Sequence, residues 1–482
     1  MASSILSCPS ACFPQGPKAP TRSRQGCRPP PGKTLCLVET TLLEKGVNHQ
    51  ATHNAQGQKA LQNRHGIFVS YNPQEEADAD PETTSTWVLA RSQDGGKTFR
   101  RIFSTSMHRI MPPSIQSDEA GNVYAIHGTG TEWLGGLFDK HPKDAWFYKF
   151  EAAKGFKGPK ILKIPNASTG KSDFIYDGKV KRFYYMTFND TFPPIQSIPA
   201  FFVLTRDGSI EYQTPIGQNL DPIEEKYAKI MYPHLRSDGK RVIAAWSTEY
   251  DPPGADASGD TKRTNLYRNI SFMWSGNAGR SWKNLAGSPI TLPLRADDAG
   301  PATLVTSPDE LGDHNWLGGI AYANGKLFLA HQVWGVAHPG VHAHLSVFDL
   351  EKKVRSVDAR GWAGSALDPD GTGKFIVGPA SPDGPIYYAA GGAFEGKPVL
   401  VILRSGDHGR SWTDYAVGGY AAGDPAIVSN VVVSPSVTPD GHIIGIYTRC
   451  APRPELGGRC ESHMNGKYTL DSSVYFFRVK AE

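Results

Sequence analysis

An all-β fold of seven repeated four-stranded units is predicted by three observations. The apolar runs are short and strand-like, with frequent turn residues between them; a hairpin unit recurs at nearly constant spacing; and the chain is too long for one ordinary core. It has 482 residues, with 51 glycines, 37 prolines and 10% aromatic residues. That composition reads as many short strands joined by tight turns. Single cores stop growing beyond roughly 250–300 residues, whereas a repeat architecture escapes the limit because each unit packs only on its neighbours. Net charge is +4, from 51 basic and 47 acidic residues, without the clustered basic stripe of a nucleic-acid binder. No apolar stretch approaches the roughly 18–20 residues that span a bilayer. Neither nucleic acid nor membrane is therefore expected as a partner, and a soluble monomer is.

The repeat is an apolar strand, a turn with Asn-Gly, Asp-Gly or Gly-Asn, and a second apolar strand. It occurs at Ser117–Tyr124, Ile175–Phe183, Leu235–Val242, Ile320–Leu327, Ala380–Ile386 and Val437–Ile443, with a less regular copy before Ile67–Tyr71. Asn-Gly and Asp-Gly supply the positive φ of two-residue hairpin turns. Anchors in the second strands (Phe68, Tyr124, Phe183, Val242, Leu327, Ile386 and Ile443) are spaced by 56, 59, 59, 85, 59 and 57 residues. The one long spacing surrounds an Asp/Gly/Pro-rich insertion, Asp251–Arg263. A unit of about 60 residues holds four strands of the usual length, and seven such units make a β-propeller. The last strand, Ser472–Val479, falls short of a full blade, and Thr34–Glu44 is expected to complete it.

Residues 1–33 are expected to lie outside this domain, which spans 34–482. The first 38 residues hold no acidic side chain but many Ser and Pro, with Arg22, Arg24 and Arg28, and read as a disordered leader or a targeting segment. Cys450 and Cys460 flank a Pro/Gly-rich loop and could form a local disulfide. Three glycosylation sequons, at Asn166, Asn189 and Asn269, agree with an exported or secreted protein.

A second motif occurs in three blades: Ser92-Gln-Asp94-Gly-Gly96-Lys-Thr98-Phe99, Ser275-Gly-Asn277-Ala-Gly279-Arg-Ser281-Trp282 and Ser405-Gly-Asp407-His-Gly409-Arg-Ser411-Trp412. Thr205-Arg-Asp207-Gly208 is a degenerate fourth. The Asp or Asn side chain can accept bonds from its own turn, Gly allows positive φ, and the aromatic residue can pack between blades. The motif resembles the Asp-box (BNR repeat) of sialidase-like propellers. With the seven units counted above, that resemblance implies a seven-bladed β-propeller of four-stranded blades with Asp-box turns between third and fourth strands, a structural role for Asp94 and Asp407, and a sugar-binding pocket on the opposite face.

First-strand beginnings and second-strand ends build that opposite face. They supply His49, His53, His108-Arg109, His127, Tyr232-Pro-His234, Glu249-Tyr250, His314, His331, Trp334, Tyr447 and Arg449. Seven of the 15 histidines fall in this set, and histidine suits acid–base work, metal ligation or charge neutralisation.

In layout the chain resembles seven-bladed polysaccharide lyases of the ulvan lyase and rhamnose–glucuronate lyase type. The resemblance implies β-elimination on an acidic, uronic-acid-containing polysaccharide. His108 and His127 match the two histidines that open and close the family's second blade. The family's third-blade Tyr and Arg are not matched; Ser172/Asp173 and Asn189/Asp190 stand there, and Tyr232, His234 and Arg236 offer a similar group one blade later. The expected catalytic set is His108, Arg109, His127, Tyr232 and His234, with Tyr232 or His127 as base and acid and Arg109 with His108 neutralising the carboxylate. The expected substrate-binding set is His53, Arg236, Glu249, Tyr250, His314, His331, Trp334 and Arg449. No cofactor is required, although the family resemblance admits a divalent cation, calcium. Two other readings stay open. One is a sialidase-like exo-hydrolase, with Arg109, Arg236 and Arg449 as an arginine triad and Glu249 with Tyr447 as nucleophile pair. The other is a non-catalytic sugar-binding propeller that uses Trp133, Trp146, Trp246, Trp316 and Trp334.

Overall fold

The computed structural model describes residues 35–53, 57–73, 85–107, 112–128, 144–165, 167, 171–188, 199–218, 227–251, 266–295, 300–311, 313–335, 340–379, 384–418, 426–451, 460, 463–464 and 467–482. The leader, residues 1–33, lies outside them. Among the described residues there are strands and short 3-10 turns but no α-helix. The strands form seven blades arranged as a β-propeller, each an antiparallel sheet; in blades 1 to 6 the strands run in sequence order from the axis outward. The innermost strands of blades 1 to 7 begin at Ala60, Ser114, Lys171, Tyr227, His314, Lys374 and Ile427.

Blade 7 differs from the rest. Its inner three strands are Ile427–Val433, His442–Cys450 and Ser472–Lys480, and its outer strand is Glu39–Val47 from the start of the domain. The register runs antiparallel from Glu39 opposite Arg478 to Val47 opposite Ser472. The closing strand thus reaches three residues beyond the predicted Glu44. Its first part is diverted: Cys36–Leu37 pairs parallel to the outer strand of blade 6.

The long spacing between blades 4 and 5 has two sources, only one of which is the predicted insertion. Residues 252–265 lie outside the described set. After the broken outer strand of blade 4 (Trp282–Lys283 and Pro289–Ile290), further chain adds Leu294–Arg295 beside Gly217–Gln218 and Thr303–Leu304 beside the third strand. Polar turn residues there hid these short pairings from a reading by apolar runs.

The core is distributed around the ring. Apolar residues form clusters that each span two adjacent blades, from Leu61 with Val123 between blades 1 and 2 to Ile446 with Val69 between blades 7 and 1. Alternation along each strand makes this arrangement possible, because successive side chains face opposite neighbours.

The three Ser-x-Asp/Asn turns share one hydrogen-bond pattern. Ser92, Ser275 and Ser405 Oγ each accept from the glycine amide four residues on, at 2.8 Å. Asp94 accepts from the Thr98 amide at 3.0 Å, and Asn277 and Asp407 accept from the Ser281 and Ser411 amides at 2.9 Å. Gly279 has φ +83°, and a Cβ there would meet Phe201 of the preceding blade at 2.2 Å. Trp282 and Trp412 are buried between blades, and Trp282 meets Phe201 edge-on at 5.2 Å. These turns and the first-to-second-strand turns lie on one face, so the opposite face is built from first-strand beginnings and second-strand ends.

Asp407→Ala should cost about 1–2 kcal/mol through the lost turn bonds, read as a lower midpoint in chemical denaturation. Asp407→Asn should cost less, since Asn277 already makes the same amide bond in blade 4. Equal losses for the two variants would show that charge, not the turn bond, carries the stability.

Candidate functional site

The inner strand of blade 4 sets the side chains predicted to matter most. Its pairing slips between Met231 and His234. Tyr232 sits at φ +52° and precedes Pro233, which has no N–H for the ladder. Such a bulge re-aims neighbouring side chains. Here it sends Tyr232 into an aromatic cluster, while His234 and Arg236 line a cavity on the ring axis.

In that cluster the Tyr267 hydroxyl donates to the Tyr232 hydroxyl at 3.1 Å, and the Tyr232 ring lies 4.7 Å from Trp316. Tyr267 packs edge-on to His314 at 4.9 Å, and His314 stacks on Trp334 at 3.4 Å. Trp316 and Trp334 then face a second cavity of about 710 Å³ between blades 5, 6 and 7. Its other walls include His49, His53, Gln332, Asp368 and Asp370, and it lies on the face away from the tight turns.

The loops around this cavity are held by specific bonds. Asn48 caps the short turn His49–Thr52 by accepting from the Gln50 amide at 3.0 Å. The His49 carbonyl accepts from Asn430 Nδ2 at 2.9 Å and Thr448 Oγ1 at 2.7 Å, both in blade 7. Asp370 accepts from Gln332 Nε2 at 3.0 Å and from the Thr372 hydroxyl at 2.7 Å. Burial raises the Asp370 carboxyl above the usual carboxylate range despite those bonds.

A closed polar cluster sits within blade 5 and the connection before it. Glu310 is fully buried at the end of a short Pro308–Glu310 turn. His344 Nδ1 lies 2.5 Å from Glu310 Oε1, and His331 Nε2 lies 3.4 Å from Oε2. His344 Nε2 meets Asp358 at 2.5 Å on its far side. Burial alone would raise the Glu310 carboxyl, but hydrogen bonds from His331 and His344 hold it below the usual range; desolvation takes His331 down to about 4. The ligand atoms of Glu310, His331 and His344 lie within 4.8 Å of one another. Two imidazoles and one carboxylate, with a carboxylate behind one imidazole, suit zinc. Calcium, the cation that the family resemblance admits, takes oxygen ligands and does not fit this donor set.

The predicted residues therefore separate. His53 and Trp334 line the large cavity, and Tyr232 and His314 back its aromatic wall. His331 is fully buried in the Glu310 cluster and lines neither cavity. Arg449 lies over the Tyr475 ring at 5.6 Å and is nearly buried. His127, Glu249 and Tyr250 are placed by backbone alone: His127 opposite Trp146, Glu249 opposite Lys229, and Tyr250 opposite Ala228. His108 and Arg109 lie outside the described residues, as does Trp133. Of the other tryptophans named as stacking surfaces, Trp246 belongs to the core between blades 3 and 4, and Trp146 packs against the core between blades 1 and 2. Asp368, Asp370 and Gln332 were not singled out by sequence; Asp368-Pro-Asp370-Gly has the composition of an ordinary turn.

No protein-family model matches the chain, and no curated protein matches it in sequence. Its fold is similar to solved structures. One is a PL25 ulvan lyase, with a TM-score of 0.59 at 12% identity, covering 92% of this chain and 96% of the other. A PL25 ulvan lyase bound to -[GlcA(1-4)Rha3S]- gives 0.58 at 13% identity over the same shares. The polysaccharide lyase Uly1 gives 0.53 at 10% identity, covering 89% of this chain and 90% of the other. At these identities the likeness is one of fold: a seven-bladed β-propeller.

Zinc added to chelator-treated protein is expected to bind one to one and raise the thermal midpoint, with calcium giving no saturable effect. Glu310→Gln and His344→Ala should each weaken zinc binding by about 10–100-fold or more. Unchanged affinity in both variants would place the zinc elsewhere.

Proposed function

We propose that the chain is a carbohydrate-active enzyme that cleaves an acidic, uronic-acid-containing polysaccharide by β-elimination. The observation that carries this reading is the cavity between blades 5, 6 and 7, where the indoles of Trp316 and Trp334 and the imidazoles of His49 and His53 share one wall space. Indoles offer flat apolar surfaces to sugar rings, and imidazoles offer donors to a carboxylate. The fold's likeness to ulvan lyases, one of them bound to a glucuronate–rhamnose unit, supports the same substrate class.

β-Elimination needs a donor that neutralises the uronate carboxylate, a base for the C5 proton and an acid for the leaving oxygen. In this reading His108 and Arg109 neutralise the carboxylate. Of the two candidates for base, Tyr232 is enclosed by Tyr267 and Trp316. This enclosure favours His127, near the end of its strand, and leaves Tyr232 to hold Trp316 in position. His234 and Arg236 face the axis and fall outside this scheme. Export is part of the same proposal, supported by the Cys450–Cys460 disulfide, since such bonds persist in oxidising compartments.

A hydrolase is the second reading, favoured by one observation: two carboxyl groups, Asp368 and Asp370, line the same cavity, and that of Asp370 is raised by burial. A carboxylic acid with a raised pKa is what a glycosidase uses to protonate its leaving group.

Incubation with uronic-acid polysaccharides should give the ultraviolet absorbance of an unsaturated uronate together with new reducing ends. Reducing ends without that absorbance would overturn elimination in favour of hydrolysis. Binding with neither product would leave a sugar-binding propeller. In the active protein, His127→Ala should lower kcat by about 10²–10⁴-fold, the usual worth of general acid–base catalysis. Trp334→Ala should instead raise KM about two- to tenfold, the loss of one aromatic contact of ~0.5–1.5 kcal/mol.

A further inference from the structure

We propose that the axial channel of the ring binds a small oxyanion, held by Arg236 and Lys374. The inner strands of four blades, with the residues leading into them, bring ionisable groups to this axis: Lys59, Asp173, His234 with Arg236, and Lys374. Lys59 and Asp173 are fully buried, and His234 and Lys374 are 1% and 6% exposed. The Arg236 side chain is 18% exposed.

Among the described residues, Asp173 supplies the carboxylate beside these basic side chains, and it is already engaged. Asp173 accepts from the Phe174 amide at 2.9 Å and the Leu235 amide at 2.7 Å, and lies 3.6 Å from Arg236. Lys374 donates to the Gly318 carbonyl, which is a neutral partner. A cavity of about 270 Å³ adjoins these groups. Arg236, Lys374, His234, Gln58 and Gln116 line it, and no Asp or Glu is among its lining residues.

One donor on that wall is unused: Arg236 Nε is buried and has no hydrogen-bond partner. Buried polar atoms of this kind call for a partner, and a guanidinium beside an ammonium matches the geometry of an oxyanion. Burial lowers the Lys374 ammonium well below its ordinary value and the Lys59 ammonium to about 7; an anion in the cavity would favour their charged forms. The remaining walls come from the last residues of the inner strands, such as Tyr176, Tyr322, Val377 and Val433, so the cavity lies toward the tight-turn face. The inference is thus independent of the catalytic reading.

Isothermal titration with sodium sulfate and with sodium phosphate, at constant ionic strength and without polysaccharide, tests it. One-to-one saturable binding of at least one of them is expected, weakened about tenfold or more by Lys374→Met and by Arg236→Gln. General salting effects would give no such saturation. In crystals soaked with selenate, an anomalous peak should lie within hydrogen-bond reach of Arg236 and Lys374, a readout that needs no variant to fold. Absence of saturable binding, binding unchanged in both variants, or a peak only elsewhere would overturn the proposal.

Discussion

Seven sheets close into a ring here because one strand is borrowed from the far end of the chain. The pairing of Glu39–Val47 with Ser472–Lys480 does more than satisfy a sheet edge. Arg478 reaches the Gly95 carbonyl and Glu39, and Thr41 donates to the Gly96 carbonyl at 2.7 Å. Phe476 lies beneath Gly96, where a Cβ would approach its ring to 2.3 Å. The closing strand pair therefore grips a tight turn of blade 1 and seals the last inter-blade core. This interface joins residues more than 400 positions apart, as Val47 with Val474.

The same closure builds the larger cavity. His49 and His53 follow directly on the closing strand, and the turn that carries them is tied to blade 7 through Asn430 and Thr448. Opposite them stand Trp316 and Trp334 of blade 5, backed by Tyr232, Tyr267 and His314. A cavity walled by blades 5 to 7 and the start of the domain depends on ring geometry, and no single blade could form it. The two cavities also divide the chemistry. The one between blades carries aromatic rings and carboxyl groups, and the axial one carries cations.

The repeat was legible in the sequence because hairpin turns need positive φ, and Asn-Gly and Asp-Gly advertise it. The blade-7 closure was legible as well, since Ser472–Val479 lacked a partner that Thr34–Glu44 could supply. Side-chain direction was harder to read. The bulge at Tyr232-Pro233 sends Tyr232 and His234 to different places, and nothing in the letters fixes that slip. His331 was grouped with the open-face residues by its position near a strand end, yet Glu310, from a connection 21 residues earlier, draws it into a closed cluster. Asp368 and Asp370 look like turn residues and are turn residues; their function as cavity wall arises only from how blades 5 to 7 meet. Lys59 and Lys374 lie on inner strands or their approaches, where the ring axis gathers side chains that are far apart in the chain.

A ring closed by its two ends also sets an order of events in time. Blades 2 to 6 are contiguous in sequence and can pack as they emerge from the ribosome. Glu39–Val47 must wait for Ser472–Lys480, which is synthesised more than 400 residues later. Until then the edge of the waiting strand is unpaired, and exposed strand edges invite association with other chains. Contacts of such long sequence separation are intrinsically slow to form. The step that completes the fold is thus also the one at which the nascent chain is most open to mispairing.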